Sequence, residues 1–371
     1  MEFRLKPVAF SALPGWTEDD PRAILGAMAG CRDHIAGKKP YRTGSLGIAS
    51  AELLPALAAA AEAAPADAGQ ARAYFEQWFQ PFLIARTDGQ QGFVTAYYEP
   101  EVEVQAEPDE AFRFPFYRRP DDLVDIDDGN RPAGLDPYFA FARLREGRVE
   151  EYPDRKAIEQ GLLEGRGLEI AYARSRVDVF FIHVQGAARL LYPDGTIRRI
   201  TYAAKTGHRF SPIGKLLIEH DEIDAATVSM ASIRDWLARH PEQVDDVLWH
   251  NRSFIFFRDA PVEDPHFGPV AAAKVPIVAG RSLAVDRLIH TFATPFFIRS
   301  DSLTHLDGGR PFARTMLALD TGSAIVGPAR GDIFTGSGDV AGALAGNVRN
   351  AADFYIFVPR SIAARFGHGE G

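Results

Sequence analysis

Hydrophobic and polar positions in the first part of the chain change from a helical to a strand pattern. Residues 18–35 and 49–85 are predicted to be helices, and the second stretch is rich in alanine and ends with aromatic residues at helical spacing. The apolar run 93–98, which a Glu-Pro pair ends, predicts a strand. A stretch rich in proline and aspartate from 105 to 135 predicts a long surface connection or the entry into another domain.

The middle of the chain mixes helical segments with apolar runs. The apolar run 177–184 is predicted to be a strand. The segments 188–192 and 196–202 flank Pro-Asp-Gly, which is typical of a hairpin turn. Helices are predicted near 138–147, 153–163, 211–219 and 227–249.

After residue 251 the pattern becomes almost wholly that of short strands separated by glycine and proline. Short strands of irregular spacing with few helices favour a small barrel over a doubly wound sheet. The predicted fold class is therefore mainly β with helices, of the α+β type. The predicted strands lie near 253–257, 282–286, 294–299, 314–319, 323–326, 332–334 and 353–358.

Length and composition indicate an ordinary globular protein with room for two domains. The chain has 371 residues, of which 46% are hydrophobic and 25% are charged. Its net charge of −9 argues against a surface that binds nucleic acid. No run of 18 apolar residues occurs, so no membrane-spanning helix is predicted. The single cysteine, Cys31, excludes an internal disulfide.

Aspartates at predicted strand ends are the most informative chemical feature. Asp320 follows an apolar run, Asp332 lies twelve residues later beside a second glycine-bearing turn, and Asp286 ends an earlier run. If the fold brings them together, mutual repulsion and partial burial should raise the pKa of at least one of them. Such a carboxyl can act as a general acid near neutral pH, and cleavage of a glycosidic bond is the chemistry that fits best. Arg287 and Arg330 lie nearby, but the sequence does not show whether they point inward.

Three other interpretations of these motifs carry less weight. Asp-Thr-Gly at Asp320 is also the active-site sequence of aspartic proteases, but such an enzyme needs two of these loops and the chain has one. The glycine-rich segment 336–342 resembles a dinucleotide fingerprint, but its last gap is one residue too long and no βαβ pattern surrounds it. The histidines form no closely spaced metal-binding set, and His183 is expected to be a satisfied core residue. We therefore predict no metal and no cofactor.

The end of the strand at 93–98 offers candidates for binding a sugar. Thr95, Tyr97 and Tyr98 place hydroxyl groups and aromatic rings together. Aromatic faces stack on the CH groups of sugar rings, and hydroxyl groups take up hydrogen bonds. Packing in a core is an equal alternative for either tyrosine.

The middle of the chain supplies the remaining binding candidates. Gln185 and Gly186 end the apolar run 177–184, and a side-chain amide beside a flexible glycine suits the recognition of a polar ligand. Lys205 and Asn251 are weaker candidates, since each lies in a segment that by itself is typical of a solvated turn.

Taken together, these stretches resemble the family of membrane-bound lytic murein transglycosylase A, over roughly residues 80 to 358. No single motif is specific, but the ordered set is. The matching segments are Thr-Ala-Tyr-Tyr-Glu-Pro at 95–100, Phe-Ile-His-Val-Gln-Gly at 181–186, Tyr-Ala-Ala-Lys-Thr-Gly-His at 202–208, Asn-Arg-Ser-Phe-Ile-Phe-Phe at 251–257, Leu-Ala-Val-Asp at 283–286 and the run 319–338.

The resemblance implies two domains separated by a groove. One is a double-psi β-barrel domain, built from residues 1–100 and 250–371, which contains a module of three aspartates. The other is a mixed α/β insert domain specific to the family, here at residues 101–249.

The resemblance also implies an activity and the residues that carry it. The expected enzyme is a peptidoglycan lytic transglycosylase, which cleaves the β-1,4 bond between N-acetylmuramic acid and N-acetylglucosamine without water and leaves a 1,6-anhydro end. Asp332 matches the general acid that then acts as base. Asp320 and Asp286 match supporting positions, which tune the pKa of Asp332 or bond to backbone or sugar. The sequence does not show whether Asp286 faces the groove or a turn.

Partners and location follow from the resemblance alone. We expect a monomer that binds peptidoglycan glycan strands and no nucleic acid, with proteins of a cell-wall synthesis complex as further partners. The expected location is the periplasm, in association with the outer membrane, although the sequence shows neither an export signal nor a lipid-modified cysteine. The alternatives are an endoglucanase-like hydrolase, and a wall-binding module that does no chemistry.

Overall fold

The chain folds into two units, each with its own core. The barrel unit comprises the residues up to Tyr98 and those from Asp264 onwards, and the insert unit lies between them in sequence. The structure, a computed structural model, describes residues 3–37, 39–127, 129–262, 264 and 266–366.

Helices are concentrated in the first third and the middle of the chain. A π-helical turn, Ile158–Leu162, directly continues α4. Short 3₁₀ helices lie at Phe10–Ala12, Trp16–Glu18, His305–Asp307 and Arg360–Phe366. The α-helices are α1 (Arg22–Gly37), α2 (Ser50–Glu62), α3 (Ala68–Trp78), α4 (Arg155–Ala157), α5 (Arg176–Gln185), α6 (Ile213–Glu219), α7 (Met230–Arg239), α8 (Val244–His250) and α9 (Gly338–Ala345).

Strands occur throughout the chain and form three sheets. They are β1 (Phe3–Pro7), β2 (Phe79–Arg86), β3 (Gly92–Glu99), β4 (Glu101–Gln105), β5 (Phe114–Tyr117), β6 (Leu123–Asp125), β7 (Phe141–Arg145), β8 (Arg148–Glu150), β9 (Glu169–Ala173), β10 (Ala187–Leu191), β11 (Ile197–Lys205), β12 (Ile255–Ala260), β13 (Ser282–Val285), β14 (Pro295–Ser300), β15 (Phe312–Asp320), β16 (Arg330–Ser337) and β17 (Arg349–Pro359).

The sheet of the barrel unit closes on itself. Its strand order is β1-β2-β17-β14-β15-β13-β16-β3, and β3 pairs again with β17. Six strands (β17, β14, β15, β13, β16 and β3) thus form a closed ring, with β13 parallel to β15. Closure leaves no open edge within the ring and encloses apolar side chains such as Phe296, Leu317 and Ile333. The predicted barrel is confirmed.

The insert unit has a mixed α/β architecture. Its main sheet has the order β12-β11-β10-β4-β9-β5, and β6, β7 and β8 form a separate three-stranded sheet. Helix α5 packs Val179 and Ile182 against the main sheet, while its Phe180 and Phe181 pack with the residues of α6, α7 and α8. The prediction of a second, mixed unit is confirmed. The strand β12, which lies after residue 250, belongs to this unit.

One predicted strand is a helix, and one predicted helix is a strand. The apolar run 177–184, predicted to be a strand, lies in helix α5. Ser175 caps its first turn by accepting the amide N–H of Asp178 at 3.3 Å, and Gly186 ends it with a φ of 80°. The helix is apolar on two faces because it is buried between a sheet and other helices, so its periodicity is lost. The predicted helix 138–147 is instead the strand β7, paired with β6 and β8.

Other differences concern where elements end. The predicted helix 49–85 is divided into α2, α3 and β2, because Asp67 accepts the amide N–H of Gln70 at 2.8 Å and caps a new helix. The predicted helix 227–249 is two helices, which part near Pro241. The run 323–326 is a turn rather than a strand.

Candidate active site

Asp332 lies on β16 and contacts the neighbouring strand β3. The Thr95 hydroxyl, 237 residues away along the chain, donates a hydrogen bond of 2.5 Å to Asp332 Oδ1. The Asp332 side chain is half-buried. It is therefore held on a rigid strand pair and is not fully enclosed.

Burial sets the protonation of Asp332. It raises the pKa of the Asp332 carboxyl to about 6, because the charged form loses water. The hydrogen bond from Thr95 and the positive charge of Arg330 lower the pKa, and the charge of Asp320 raises it, but these effects are smaller than that of burial. Near pH 6 this carboxyl can both give and take a proton.

Asp320, the last residue of β15, has more donors around it. Its Oδ1 accepts the amide N–H groups of Thr321 at 2.9 Å and Ala272 at 3.3 Å, and its Oδ2 accepts the Tyr97 hydroxyl at 3.1 Å. Burial nevertheless raises the pKa of Asp320, against the effect of these donors. Since Asp320 in turn raises the pKa of Asp332, the two carboxyls form an electrostatic pair.

The two predicted tyrosines of β3 pack against different elements, Tyr97 against β16 and Tyr98 against α9. The Tyr97 ring lies 5.3 Å from that of Phe334, and burial, followed by the charges of Asp320 and Asp332, raises its pKa. The Tyr98 ring lies on α9, where a Cβ on Gly342 would come within 2.7 Å of it. Tyr97 thus belongs to the carboxyl cluster, and a glycine is required beside Tyr98.

Arg330 completes the cluster and was not predicted as a site residue. Its Nη2 donates to Thr95 Oγ1 at 2.7 Å, and its Nη1 donates to the carbonyl oxygen of Gly331. The guanidinium lies over the Phe93 ring at 5.5 Å. Arg330 and Asp332 are two residues apart on one strand and share a face of the sheet. That spacing was the sequence signal that could have identified Arg330.

Asp286 follows β13 and bonds to backbone. Its Oδ1 accepts the amide N–H of Leu288 at 3.0 Å, and its Oδ2 accepts that of Gly327 at 2.9 Å. Asp286 is buried, and its carboxyl ties its own turn to the loop that leads from Asp320 to β16. Of the roles considered for Asp286, the structure thus shows the bond to backbone.

Gln185 and Gly186 end helix α5 of the insert unit. Gln185 is its last residue, and Gly186 has the positive φ that a helix C-terminus favours. The Gly186 amide donates to Ile182 O at 2.8 Å, and its carbonyl accepts the Tyr202 amide at 2.8 Å. The geometry explains why a glycine follows Gln185 and leaves the binding role of both residues a prediction.

Lys205, the last residue of β11, is paired with an aromatic ring. Its Nζ donates to the Tyr138 hydroxyl at 3.1 Å and lies 4.6 Å from the centroid of that ring. The Arg209 guanidinium lies over the same ring at 4.2 Å. These contacts hold the ammonium group of Lys205 in one place.

Asn251 is buried, and its contacts are structural. Its side-chain oxygen accepts the amide N–H groups of Ser211 and Ser253, each at 3.2 Å, and its carbonyl accepts Arg155 Nε at 3.0 Å. A ligand could bind the side-chain oxygen only by competing with these two amide donors. These contacts explain why an asparagine lies here and leave its substrate-binding role a prediction.

His183 is a core residue of the insert unit, as expected, but it is not satisfied. Its ring packs 4.4 Å from that of Phe254, and neither ring nitrogen has a hydrogen-bond partner among the described residues. Burial, with the nearby charge of Arg155, lowers its pKa well below the usual value. His183 is therefore neutral at physiological pH.

Neither a metal-binding cluster nor a membrane-spanning helix is found among the described residues. Within the described ranges, no group of three or more histidine, cysteine, aspartate or glutamate side chains could hold a metal ion. None of the helices described is long and apolar enough to cross a membrane.

The structure brings Thr95, Tyr97, Asp320 and Asp332 together in the barrel unit. The chemical feature of this cluster is a carboxyl with one short hydrogen bond, a pKa of about 6 and a second carboxyl nearby. It is suited to transferring a proton to and from an oxygen atom, as bond cleavage at a glycosidic centre requires.

Two family models match the chain, one over most of the insert unit and one within the barrel unit. The MltA specific insert domain matches residues 93–258, and the 3D domain matches residues 281–358. The second match contains Asp286, Asp320 and Asp332.

Known proteins resemble the chain over most of its length. A crystal structure of a membrane-bound lytic murein transglycosylase from Agrobacterium tumefaciens is 61% identical, with a TM-score of 0.94 and coverage of 98% of this chain and 100% of that one. A structure of Escherichia coli MltA with bound chitohexaose is 25% identical, with a TM-score of 0.68 and coverage of 96% and 94%.

A curated relative adds a sequence match of the same kind. Membrane-bound lytic murein transglycosylase A of Vibrio cholerae is 31% identical over 264 residues, which are 69% of this chain and 62% of that protein. The chain thus spans less than two thirds of the length of this relative. The two matched domains, and the agreement over the whole length of the Agrobacterium protein, lead to one conclusion: the chain belongs to the membrane-bound lytic murein transglycosylase A family.

Proposed function

We propose that the protein is a peptidoglycan lytic transglycosylase. It cleaves the β-1,4 bond between N-acetylmuramic acid and N-acetylglucosamine without water and leaves a 1,6-anhydro end on the muramic acid. Two findings support the proposal: the family to which the chain belongs, and the glycan chitohexaose bound to a relative of similar fold.

The Asp332 carboxyl carries the chemistry. In the first step its proton passes to O4 of the leaving N-acetylglucosamine as the bond between C1 and O4 breaks. In the second step the C6 hydroxyl of the same muramic acid attacks C1, and its proton passes to the Asp332 carboxylate. One C–O bond is exchanged for another, no water is consumed, and Asp332 ends as it began.

The observation that supports Asp332 most directly is its protonation. With a pKa of about 6, the carboxyl is protonated in a substantial fraction of molecules at mildly acidic pH and is still a competent base after it ionises. Acid–base catalysis of this kind contributes roughly 10²- to 10⁴-fold in rate. A tethered C6 hydroxyl adds the advantage of an intramolecular nucleophile.

The other residues have supporting roles. Asp320 keeps the pKa of Asp332 high through its charge, and Asp286 holds the loop between β15 and β16. We infer that Tyr97 and Tyr98 on the barrel unit, with Gln185, Gly186 and Lys205 on the insert unit, contact the glycan.

Location and partners are inferred from the relatives. Since these are named as membrane-bound, we infer that the protein acts in the cell envelope, in the periplasm at the outer membrane. Its partner is the glycan strand, on which it acts as a monomer.

The test is mass spectrometry of purified peptidoglycan after digestion by the wild type and by Asp332→Asn. The matched control is Asp301→Asn, since the Asp301 side chain is 82% exposed. We expect anhydro-muropeptides from the wild type and the control, and a loss of at least about 10²-fold in Asp332→Asn.

Other results would redirect the assignment. Hydrated muramic ends from the wild type would indicate a hydrolase. Undiminished anhydro products from Asp332→Asn would place the catalytic proton on another residue. Glycan binding without any cleavage by the wild type would indicate a binding module.

A further inference from the structure

We propose that Arg330 is a positioning residue for the reaction. Through the Thr95 hydroxyl it fixes which oxygen of Asp332 carries the transferable proton, and that oxygen is Oδ2. The inference rests on the proposed function, since it concerns the direction from which the glycosidic oxygen receives its proton.

The direction of the Thr95 O–H bond follows from the chemistry of its two partners. A guanidinium has only donors, so the 2.7 Å contact from Arg330 Nη2 requires the Thr95 oxygen to accept. The single hydrogen of the hydroxyl is then left for Asp332 Oδ1, at 2.5 Å. The positive charge of Arg330 also makes the hydroxyl a stronger donor and a poorer acceptor, and so favours this direction.

The direction of the Thr95 hydroxyl determines which oxygen of Asp332 is favoured to carry the acid proton. Asp332 Oδ1 accepts the hydrogen of Thr95, and in a neutral carboxyl the carbonyl oxygen is a better acceptor than the hydroxyl oxygen. The contact from Thr95 therefore favours the arrangement in which the proton of the neutral carboxyl lies on Oδ2. Without the Arg330 charge, the hydroxyl could as readily accept a hydrogen bond from Oδ1, and the acid proton would be divided between the two oxygens.

Arg330 is itself held in place. Its second nitrogen, Nη1, donates to the Gly331 carbonyl oxygen, and its guanidinium lies over the Phe93 ring at 5.5 Å. Arg330 is half-buried, and burial lowers its pKa while the charge of Asp332 raises it. A planar group with several fixed donors suits this task better than the flexible ammonium of lysine.

Other charged or titratable groups surround the same carboxyl. Asp320 raises the pKa of Asp332, and the buried Tyr97 hydroxyl donates to Asp320. Lys274 acts on Asp320 by its charge. Asp339, in the first turn of α9, is exposed. Arg330 is the cation that acts directly on Asp332, and through Thr95 it is also in hydrogen-bond contact with it.

The first measurement separates substrate binding from turnover. Soluble glycan strands serve as substrate, and the release of anhydro product is followed from pH 4.5 to 8. We expect Arg330→Leu to lower kcat by about 10- to 100-fold, the effect of one hydrogen bond to a charged network, with KM within about twofold. Arg330→Lys should restore kcat to within about threefold to fivefold, because an ammonium can also donate to Thr95.

The pH profile gives a second readout that a loss of structure does not imitate. Removal of the cation raises the pKa of Asp332, so the fall in rate above pH 6 should begin at higher pH in Arg330→Leu. Arg287→Leu is the control, because it removes an arginine that is exposed. An unchanged profile in Arg330→Leu, or an equal shift in Arg287→Leu, contradicts the proposal.

A double-mutant cycle tests whether Arg330 acts through Thr95. Thr95→Val removes the hydroxyl at nearly constant shape, and Thr95→Ser restores it. At pH 4.5, where Asp332 is protonated in every variant, Arg330→Leu should cost less than about twofold in the Thr95→Val background. The full cost of Arg330→Leu in that background would overturn the relay.

The two proposals can fail separately. If the wild type releases no anhydro product, the proposed function is wrong. The inference is then decided by a ¹³C titration of the Asp332 carboxyl without substrate. The pKa should rise in Arg330→Leu and in Thr95→Val, and a value unchanged in both would overturn the inference.

Discussion

Two aspartates of the barrel unit, Asp286 and Asp332, differ in the hydrogen-bond donors around their carboxyl groups. In the turn after β13, Asp286 accepts two backbone N–H groups, one on each oxygen. On the strand pair β3 and β16, Asp332 accepts one hydroxyl, on Oδ1. Backbone donors cannot change partner without unfolding the turn, whereas the second oxygen of Asp332 has no hydrogen-bond donor among the described residues and can exchange a proton. The first arrangement stabilises a loop and the second suits catalysis.

A third carboxylate shows that burial by itself does not produce a catalytic acid. Glu99, at the start of the insert unit, is 1% exposed and is bound by two guanidinium groups. Arg199 donates to both of its oxygens, at 2.5 and 3.0 Å, and Arg189 donates at 3.1 Å. Glu99 is thus a member of a buried ion-pair network and holds two strands of the insert unit together. What distinguishes Asp332 is burial with few donors.

Of the two aspartates, Asp286 should contribute more to the stability of the fold. Asp286→Ala leaves the Leu288 and Gly327 amides without their acceptors, and we expect the free energy of unfolding to fall by about 2–4 kcal/mol. The measurement is chemical denaturation, with the exposed Asp301→Ala as control. The rate per folded molecule should stay within about tenfold of the wild type. A stable Asp286→Ala that has lost its activity would place Asp286 in the catalytic machinery.

Asp332→Asn should have the opposite effect on stability, and a smaller one. A pKa raised from 3.8 to about 6 means that the folded state prefers the protonated form. Stability contributed by Asp332 is therefore present below about pH 4 and is lost as the pH rises to 6. At pH 7 Asp332→Asn should be more stable than the wild type, on the order of 2 kcal/mol.

The same experiment has an internal control. At pH 4 the wild-type carboxyl is protonated, so the difference between wild type and Asp332→Asn should nearly vanish. Thermal unfolding at the two pH values measures both effects. If Asp332→Asn were destabilised equally at pH 4 and pH 7, ionisation of Asp332 would not destabilise the folded protein, which would contradict the account.

The sequence predicted the barrel and its carboxyl pair better than it predicted their surroundings. Asp320 and Asp332 stand at recognisable positions, because a strand and the turn beside it are local features. The partner of Asp332 is not local, since Thr95 lies 237 residues away, and spacing along the chain does not show which strands pair. The sequence showed that Arg330 lies near Asp332, but whether its side chain points toward the carboxyls depends on the pairing of the strands.

The insert unit was harder to predict for a different reason. Helix α5 is buried on two faces, and an apolar run without periodicity also fits a strand. Asn251 appears in a polar segment that is typical of a solvated turn, yet it is buried and its side-chain oxygen accepts two backbone N–H groups. A polar residue type does not show whether its partners lie within the protein or in a ligand.

The central claim is that few donors and partial burial keep Asp332 able to give a proton near neutral pH. The most direct test is a ¹³C NMR titration of aspartate carboxyls, with the Asp332 signal assigned by its loss in Asp332→Asn. We predict a midpoint of about 6. A midpoint near 4, the value of a free aspartate, would contradict the account, because Asp332 would then be almost fully ionised where the protein has to donate its proton.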